Sequence, residues 1–273
     1  MNWKKAKNLV LIFLIVLNLF LLTFNYSSKT IYTMTLEQEK TILSVLSEYN
    51  IGIYVELPKV FTPMYDMEII NKGNSIAEEL IEVFFNEDIQ PLYDENRLVY
   101  QSSEGSLTIE NGFFSFTSLE GINKNYEDIL SEFKMYDDLE LEKILVEDTI
   151  TTYEYCEKVE DYILYSNYLS ITVEDNLITR INGYNSEPNG FIGEKKDIIS
   201  VDMALFNFAK EVKRTGAENI FVDKIDIVYY LYDEAVSEEG VVLKAIPCYR
   251  INIEGNPEAF LINAYNNQII NLF

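Results

Sequence analysis

The sequence has no histidine, one tryptophan, two cysteines and six prolines. Without an imidazole there is no Ser-His-Asp or Cys-His catalysis, no HExxH zinc site and no histidine pH switch. G-x-S-x-G, Walker-loop and S-x-x-K motifs are absent as well. Basic residues are scarce, 21 against 45 acids, for a net charge of −24. Such a surface repels nucleic acid and anionic headgroups. Cys156 and Cys248 could form at most one disulfide. Each alternates with polar residues, Cys156 with Glu154 and Lys158, Cys248 with Arg250 and Asn252. They read as unpaired residues on the polar register of two strands.

The acids do not supply chemistry by pattern. Asp137-Asp138-Leu139-Glu140 with Glu142, and Glu234 with Glu238-Glu239, lack the D-x-D-x-D-G spacing of a calcium loop and read as solvated loops and helix ends. No residue is assigned as catalytic, cofactor-binding or metal-ligating. Tyr153, Tyr155, Tyr162, Tyr165 and Tyr168 could form a ligand shelf, but strand-spaced aromatics more often pack in the core and across strands.

What is present is ordinary globular composition, 48% hydrophobic and 24% charged, with 20 Tyr and 16 Phe. At the N-terminus, residues 9–24 read LVLIFLIVLNLFLLTF, broken only by Asn18 and Thr23. That run predicts a transmembrane helix over 9–26, matched to a hydrocarbon core of ~30 Å. Lys4, Lys5 and Lys7 precede it, so the positive-inside rule places residues 1–8 in the cytoplasm as a short tip. Trp3 and Tyr26 suit the two interfacial belts. The run is long for a signal peptide and no A-x-A-like cleavage site follows, which favours an uncleaved anchor. Asn18 is the polar handle within it; an amide in lipid seeks a partner, and Leu14, Ile15 and Leu22 share its helical face.

Residues 27–34 read as a linker. Thr35 and Gln38 have capping-box spacing for a helix whose apolar face carries Leu36, Ile42, Leu43, Val45 and Leu46. A strand is predicted at 51–57, a helix at 75–85 and short strands at 97–101, 106–110 and 113–117, joined through Glu104-Gly105 and the hairpin pair Asn111-Gly112. A helix over 126–135 follows, then strands at 144–156, 162–165, 168–173 and 177–184, and a polar stretch at 185–196. Ser200 caps a helix to about 213 whose apolar face carries Met203, Ala204, Phe206, Phe208 and Val212. Strands at 220–232, 241–253, 259–264 and 269–273 close the chain. The pattern predicts an α+β protein: two lobes of antiparallel sheet with packed helices, 35–120 and 121–273, with an alternative boundary near 186–197.

Both ends of the chain also resemble the YycI family. MNWKKAKNLVLIFLIVLNLFLL resembles its Trp/Lys-bearing tip and single Asn-containing helix. ISVDMALFNF, DKIDIVYYLY and IPCYRINIEG…AFLINAYNNQII resemble its late helix, long strand and closing PepSY-like strands, although Cys248-Tyr249 stands where the family pattern has Trp. The resemblance implies a non-catalytic, single-pass membrane protein with its C-terminal domain outside. It implies regulation of a YycG/WalK-type sensor histidine kinase together with a YycH-type protein, in control of cell-wall metabolism. Membrane lipid is an expected partner, nucleic acid is not, and no cofactor is expected. The helix contact would rest on Asn18, Leu14, Ile15 and Leu22. A rival reading is an envelope binding module for a peptide or wall fragment; it predicts an apolar cleft with convergent polar groups. A carboxylate-only enzyme would instead show a close pair of buried acids.

Overall fold

In a computed structural model the chain is described over residues 3–85, 89–94, 97–217, 219–237, 240–256 and 258–271, with side-chain environments described for these except at 4–6, 9, 22–31, 94, 233–237, 240–242 and 271. The N-terminal helix α1 runs Trp3–Ile31. Among the described residues no helix is long and apolar enough to cross a membrane, which corrects the predicted span over 9–26. Of that span, the side chains of residues 9 and 22–26 lie outside the described ones.

The predicted α+β class with two antiparallel lobes is also corrected. The protein is mostly strand, and among the described residues the strands form one mixed fifteen-stranded sheet. After α2 (Leu36–Glu48) come β1 (Ile51–Ile53), β2 (Met64–Ile70), α3 (Ala77–Phe84), β3 (Leu92–Asp94), β4 (Arg97–Gln101), β5 (Gly105–Glu110) and β6 (Phe113–Ile122). Then follow α4 (Tyr126–Leu130), β7 (Leu139–Glu147), β8 (Ile150–Val159), β9 (Tyr162–Glu174), β10 (Leu177–Tyr184) and β11 (Glu187–Lys196). The chain closes with α5 (Val201–Thr215), β12 (Ile220–Ser237), β13 (Gly240–Ile253), β14 (Phe260–Asn263) and β15 (Ile269–Asn271). The main path of the sheet is β11-β2-β13-β12-β9-β10-β6-β5-β4-β3. Parallel pairing enters where β12 meets β1 and β9, and these pairings between distant segments are invisible to local alternation.

Local chemistry accounts for the elements that were predicted well. Thr35 and Gln38 form the full capping box at α2, with the Thr35 N–H donating to Gln38 Oε1 at 2.9 Å and the Gln38 N–H to Thr35 Oγ1 at 3.2 Å. Asn111 and Gly112 join β5 to β6 with φ of 51° and 88°, the left-handed pair that a two-residue hairpin requires. Other elements differ. Ser200 occupies the N-cap of α5, but its side chain makes no capping bond. The single strand predicted at 144–156 is the hairpin β7–β8, turned at Asp148 with φ 52°. The strands predicted at 162–165 and 168–173 are one strand, β9, whose pairing with β8 shifts register between Cys156 and Glu157. The polar stretch 185–196 is largely the strand β11.

The backbone forms two compact units. The first comprises Met1–Met64, Lys196–Asp226 and Tyr249–Phe273; the second comprises Tyr65–Lys195 and Ile227–Cys248. In the first, α2 packs against α5, and Ile42 and Leu46 of the one and Leu205 and Phe208 of the other are buried. Phe208 meets Phe260 edge-on with ring centroids 5.1 Å apart. Arg250, fully buried, donates two hydrogen bonds to the Asp226 carboxylate, the forked geometry in which a buried guanidinium is tolerated. In the second unit, α3 and the 126–136 segment cover β5, β6, β9 and β10, and Phe84 stacks on Phe116 at 4.1 Å beside Phe133. Cys156 and Cys248 form no disulfide, as expected, but both are buried rather than on a solvated register. Burial pushes the Cys248 thiol well above its ordinary value.

Candidate functional site

The predicted contact residues lie on α1. Leu14, Ile15 and Asn18 are exposed, as are Trp3 and Lys7. The side chains of Leu22, Lys4, Lys5 and Tyr26 lie outside the described ones. The five tyrosines do not make one shelf. Tyr153 stacks on Tyr126 at 4.0 Å, Tyr155 is buried, Tyr162 packs edge-on against Tyr229 and Tyr165 tilts toward Tyr230. Asp137 and Asp138 are exposed, and Glu140 pairs with Lys158 at 3.3 Å. Glu238 and Glu239 lie outside the described residues, as does the Glu234 side chain. Among the described residues no group of three or more acids or cysteines is placed to hold a metal.

Two places gather polar side chains among apolar ones. In the second unit Glu157, Asn167 and Ser186 are buried together. Asn167 Nδ2 donates to Glu157 Oε2 and to the Ser186 carbonyl, while its Oδ1 accepts from the Ser186 N–H and hydroxyl. Glu157 Oε1 accepts from the Asp137 N–H at 3.1 Å. Burial raises the Glu157 carboxyl above its ordinary value, and the bonds from Asn167 and Asp137 offset part of that rise. Tyr136 caps the neighbourhood, donating to the Tyr168 or Tyr184 carbonyl. The other buried acid among the described residues, Asp66, pairs through Oδ2 with Lys244 rather than with Glu157. The network closes on itself and ties the irregular start of β9 to the end of β10.

The second place is in the first unit, a groove of about 540 Å³ between α2 and α5. That is the size of a small-ligand or peptide-anchor site. Its apolar surface comes from Ile42, Val45, Met203 and Phe206, and its polar lining from Thr35, Glu37, Gln38, Thr41, Asp202 and Asn267. The helical repeat explains why α5 faces two ways. Ala204, Phe208 and Val212 enter the core, while Met203 and Phe206 stay 50% and 56% exposed at the groove. Asn267, in the β14–β15 turn with φ 62°, closes one end. Its carbonyl accepts from Asn207 Nδ2 at 2.7 Å, and its own amide reaches the Met203 carbonyl at 3.4 Å. The hydroxyls of Thr35 and Thr41 donate within α2, to Gln38 Oε1 at 2.9 Å and to the Glu37 carbonyl at 2.8 Å.

Two acceptors at this groove have no partner. Asp202 Oδ1 and Asn267 Oδ1 are sealed from solvent and receive no hydrogen bond. The nearby Tyr249 hydroxyl donates to the Ile199 carbonyl at 2.7 Å. Burial and the Asp202 charge push Tyr249 well above the ordinary phenol range. Sequence reasoning placed Met203 and Phe206 on an apolar face but missed the groove. Its closure depends on Asn267, far along the chain, and only exposed aromatic and thioether positions on a packed helix hinted at it.

No protein-family profile and no curated protein matches the sequence. The fold is similar to that of a crystallised uncharacterized protein from Eubacterium rectale, at 11% identity and a TM-score of 0.52, covering 86% of this chain and 99% of that one. A second solved structure, the YpeB C-terminal domain of Bacillus megaterium, gives a TM-score of 0.39 at 11% identity over 73% of this chain and 96% of that one. The first likeness speaks to the fold alone; the second is too distant to support more.

Proposed function

We propose that this chain is a non-catalytic binding protein, with the α2–α5 groove as its ligand surface. The observation that carries this reading is the groove itself: apolar walls, exposed Met203 and Phe206, and polar side chains among its lining. Exposed large side chains on an otherwise packed helix mark interaction surfaces more often than catalytic ones. The test is titration of a panel of envelope-type peptides and wall fragments against wild type and Phe206→Ser. A ligand bound by wild type and lost by the variant, with unchanged thermal stability, supports the reading. Ligands bound equally by both would remove the groove from it.

A second reading is favoured by α1, whose described apolar residues from Val10 to Leu21 are all exposed. A continuous apolar helix surface calls for lipid or another protein. With the YycI resemblance, this supports a regulator held at a cell membrane by its N-terminal segment, its folded domain outside. Its partners would be a YycG/WalK-type kinase and a YycH-type protein. Leu14, Ile15 and Asn18 would meet the kinase's own apolar helices. A regulator of this kind works by binding one kinase state better than the other, and a coupling of ~1–3 kcal/mol suffices. Replacing α1 by an unrelated apolar helix should abolish the effect on kinase phosphorylation; an undiminished effect would sink this reading and leave the groove as the operative surface.

A further inference from the structure

We infer that the α2–α5 groove selects a cationic amphipathic peptide segment, its apolar side chain between Met203 and Phe206 and its ammonium or guanidinium group at Asp202. This rests on the groove being the binding surface. The charge of the lining gives the sign. Glu37 and Asp202 line the groove, and no lysine or arginine does. The chain around them carries a net charge of −24, so an anionic segment is repelled before it docks.

The hydrogen-bond inventory points the same way. The lining hydroxyls of Thr35 and Thr41 already donate within α2. Asp202 Oδ1 and Asn267 Oδ1 are acceptors that no described residue supplies with a donor, and both are closed to a ligand. Because Asp202 Oδ1 is sealed, compensation of the carboxylate must come at its other oxygen. A donor that also carries positive charge answers both needs at once. Apolar walls with acidic groups beside them are the complement of a peptide whose apolar and basic residues fall on adjacent positions.

The experiment is fluorescence anisotropy of a labelled Leu–Lys peptide titrated with the full chain, at low and moderate salt. Leu–Glu and Ser–Lys peptides serve as comparators. The Leu–Lys peptide should bind and the other two should not. Asp202→Asn should weaken binding about tenfold, the loss of one charge-assisted hydrogen bond. Glu37→Gln, at an exposed position, should weaken it in the same direction. Glu120→Gln, which removes the same charge in the second unit, should leave it unchanged. If the Leu–Glu peptide binds as well as Leu–Lys and Phe206→Ser abolishes both, the groove stands and the cationic assignment fails. If Phe206→Ser leaves Leu–Lys binding intact, or Glu120→Gln weakens it as much as Asp202→Asn, binding is surface charge alone and the inference is overturned.

Discussion

Asn167 in the second unit and Asp202 in the first are both polar residues set among apolar neighbours, and the protein treats them in opposite ways. The Asn167 amide uses both of its faces, on Glu157, on Ser186 and on the Ser186 backbone. That fills the capacity of a primary amide. Asp202 keeps one sealed oxygen without a donor. A closed network specifies its own geometry and has nothing left to offer a ligand. Asp202, on a groove with exposed apolar side chains, has only its other oxygen to offer something that arrives later. The difference separates structural polarity from binding polarity, although both look alike as polar residues in the sequence.

The sharpest way to break this comparison sets two phenylalanines of α5 against each other. Phe208 is fully buried and Phe206 is 56% exposed. Phe208→Ala should cost about 3–5 kcal/mol in urea unfolding, since it opens a cavity against Phe260. In the second unit, Asn167→Ala should cost about 3 kcal/mol, because it strands the buried Glu157 carboxylate and the Ser186 hydroxyl together. A loss below about 1 kcal/mol, the scale of an ordinary exposed substitution, would mean that water replaces the amide and that the network is open after all.

The pH dependence is smaller. Burial raises the Glu157 carboxyl in the folded protein, so between its unfolded and folded values the folded state binds more proton. Stability contributed by this group is therefore gained as pH falls through that window and lost as pH rises through it. The slope is at most about 1.4 kcal/mol per pH unit. Unfolding midpoints across the mildly acidic range should show it in wild type, and Glu157→Gln should reduce it, leaving the part due to Glu154, which burial also raises. The smallest effect belongs to the groove: Phe206→Ala should move stability by about 0.5 kcal/mol or less while abolishing ligand binding. A large loss there would make Phe206 a core residue and erase the contrast.

What could be read in the sequence was chemistry acting over a few residues. Thr35 with Gln38 and Asn111 with Gly112 encode their own geometry, and the structure forms both as expected. The β2 strand escaped because Asp66 and Glu68 interrupt its apolar run; Asp66 is buried only because Lys244 on β13 neutralises it. The Asp148 turn escaped because no glycine marks it. The mixed sheet was misread as two antiparallel lobes because β12 finds β1 and β9 in parallel, pairings that no local pattern announces. The groove combined both difficulties. Met203 and Phe206 share one apolar pattern with Phe208 and Val212, and Asn267, which lines the groove with them, lies far along the chain.

One strand has a consequence for the protein's behaviour in crowded surroundings. β11 ends the main path of the sheet, where unpaired backbone groups would invite another chain to add on. It carries Pro188, which lacks an N–H, and Gly190 and Gly193 with φ of 91° and 75°, which bend the backbone out of register. Glu194, Lys195 and Lys196 follow, all exposed. The opposite end of the path is β3, only three residues long. The polar stretch that looked like a loop is thus a strand built to be a poor template for fibril growth, so the main path of the sheet ends at β11 without recruiting a neighbour there.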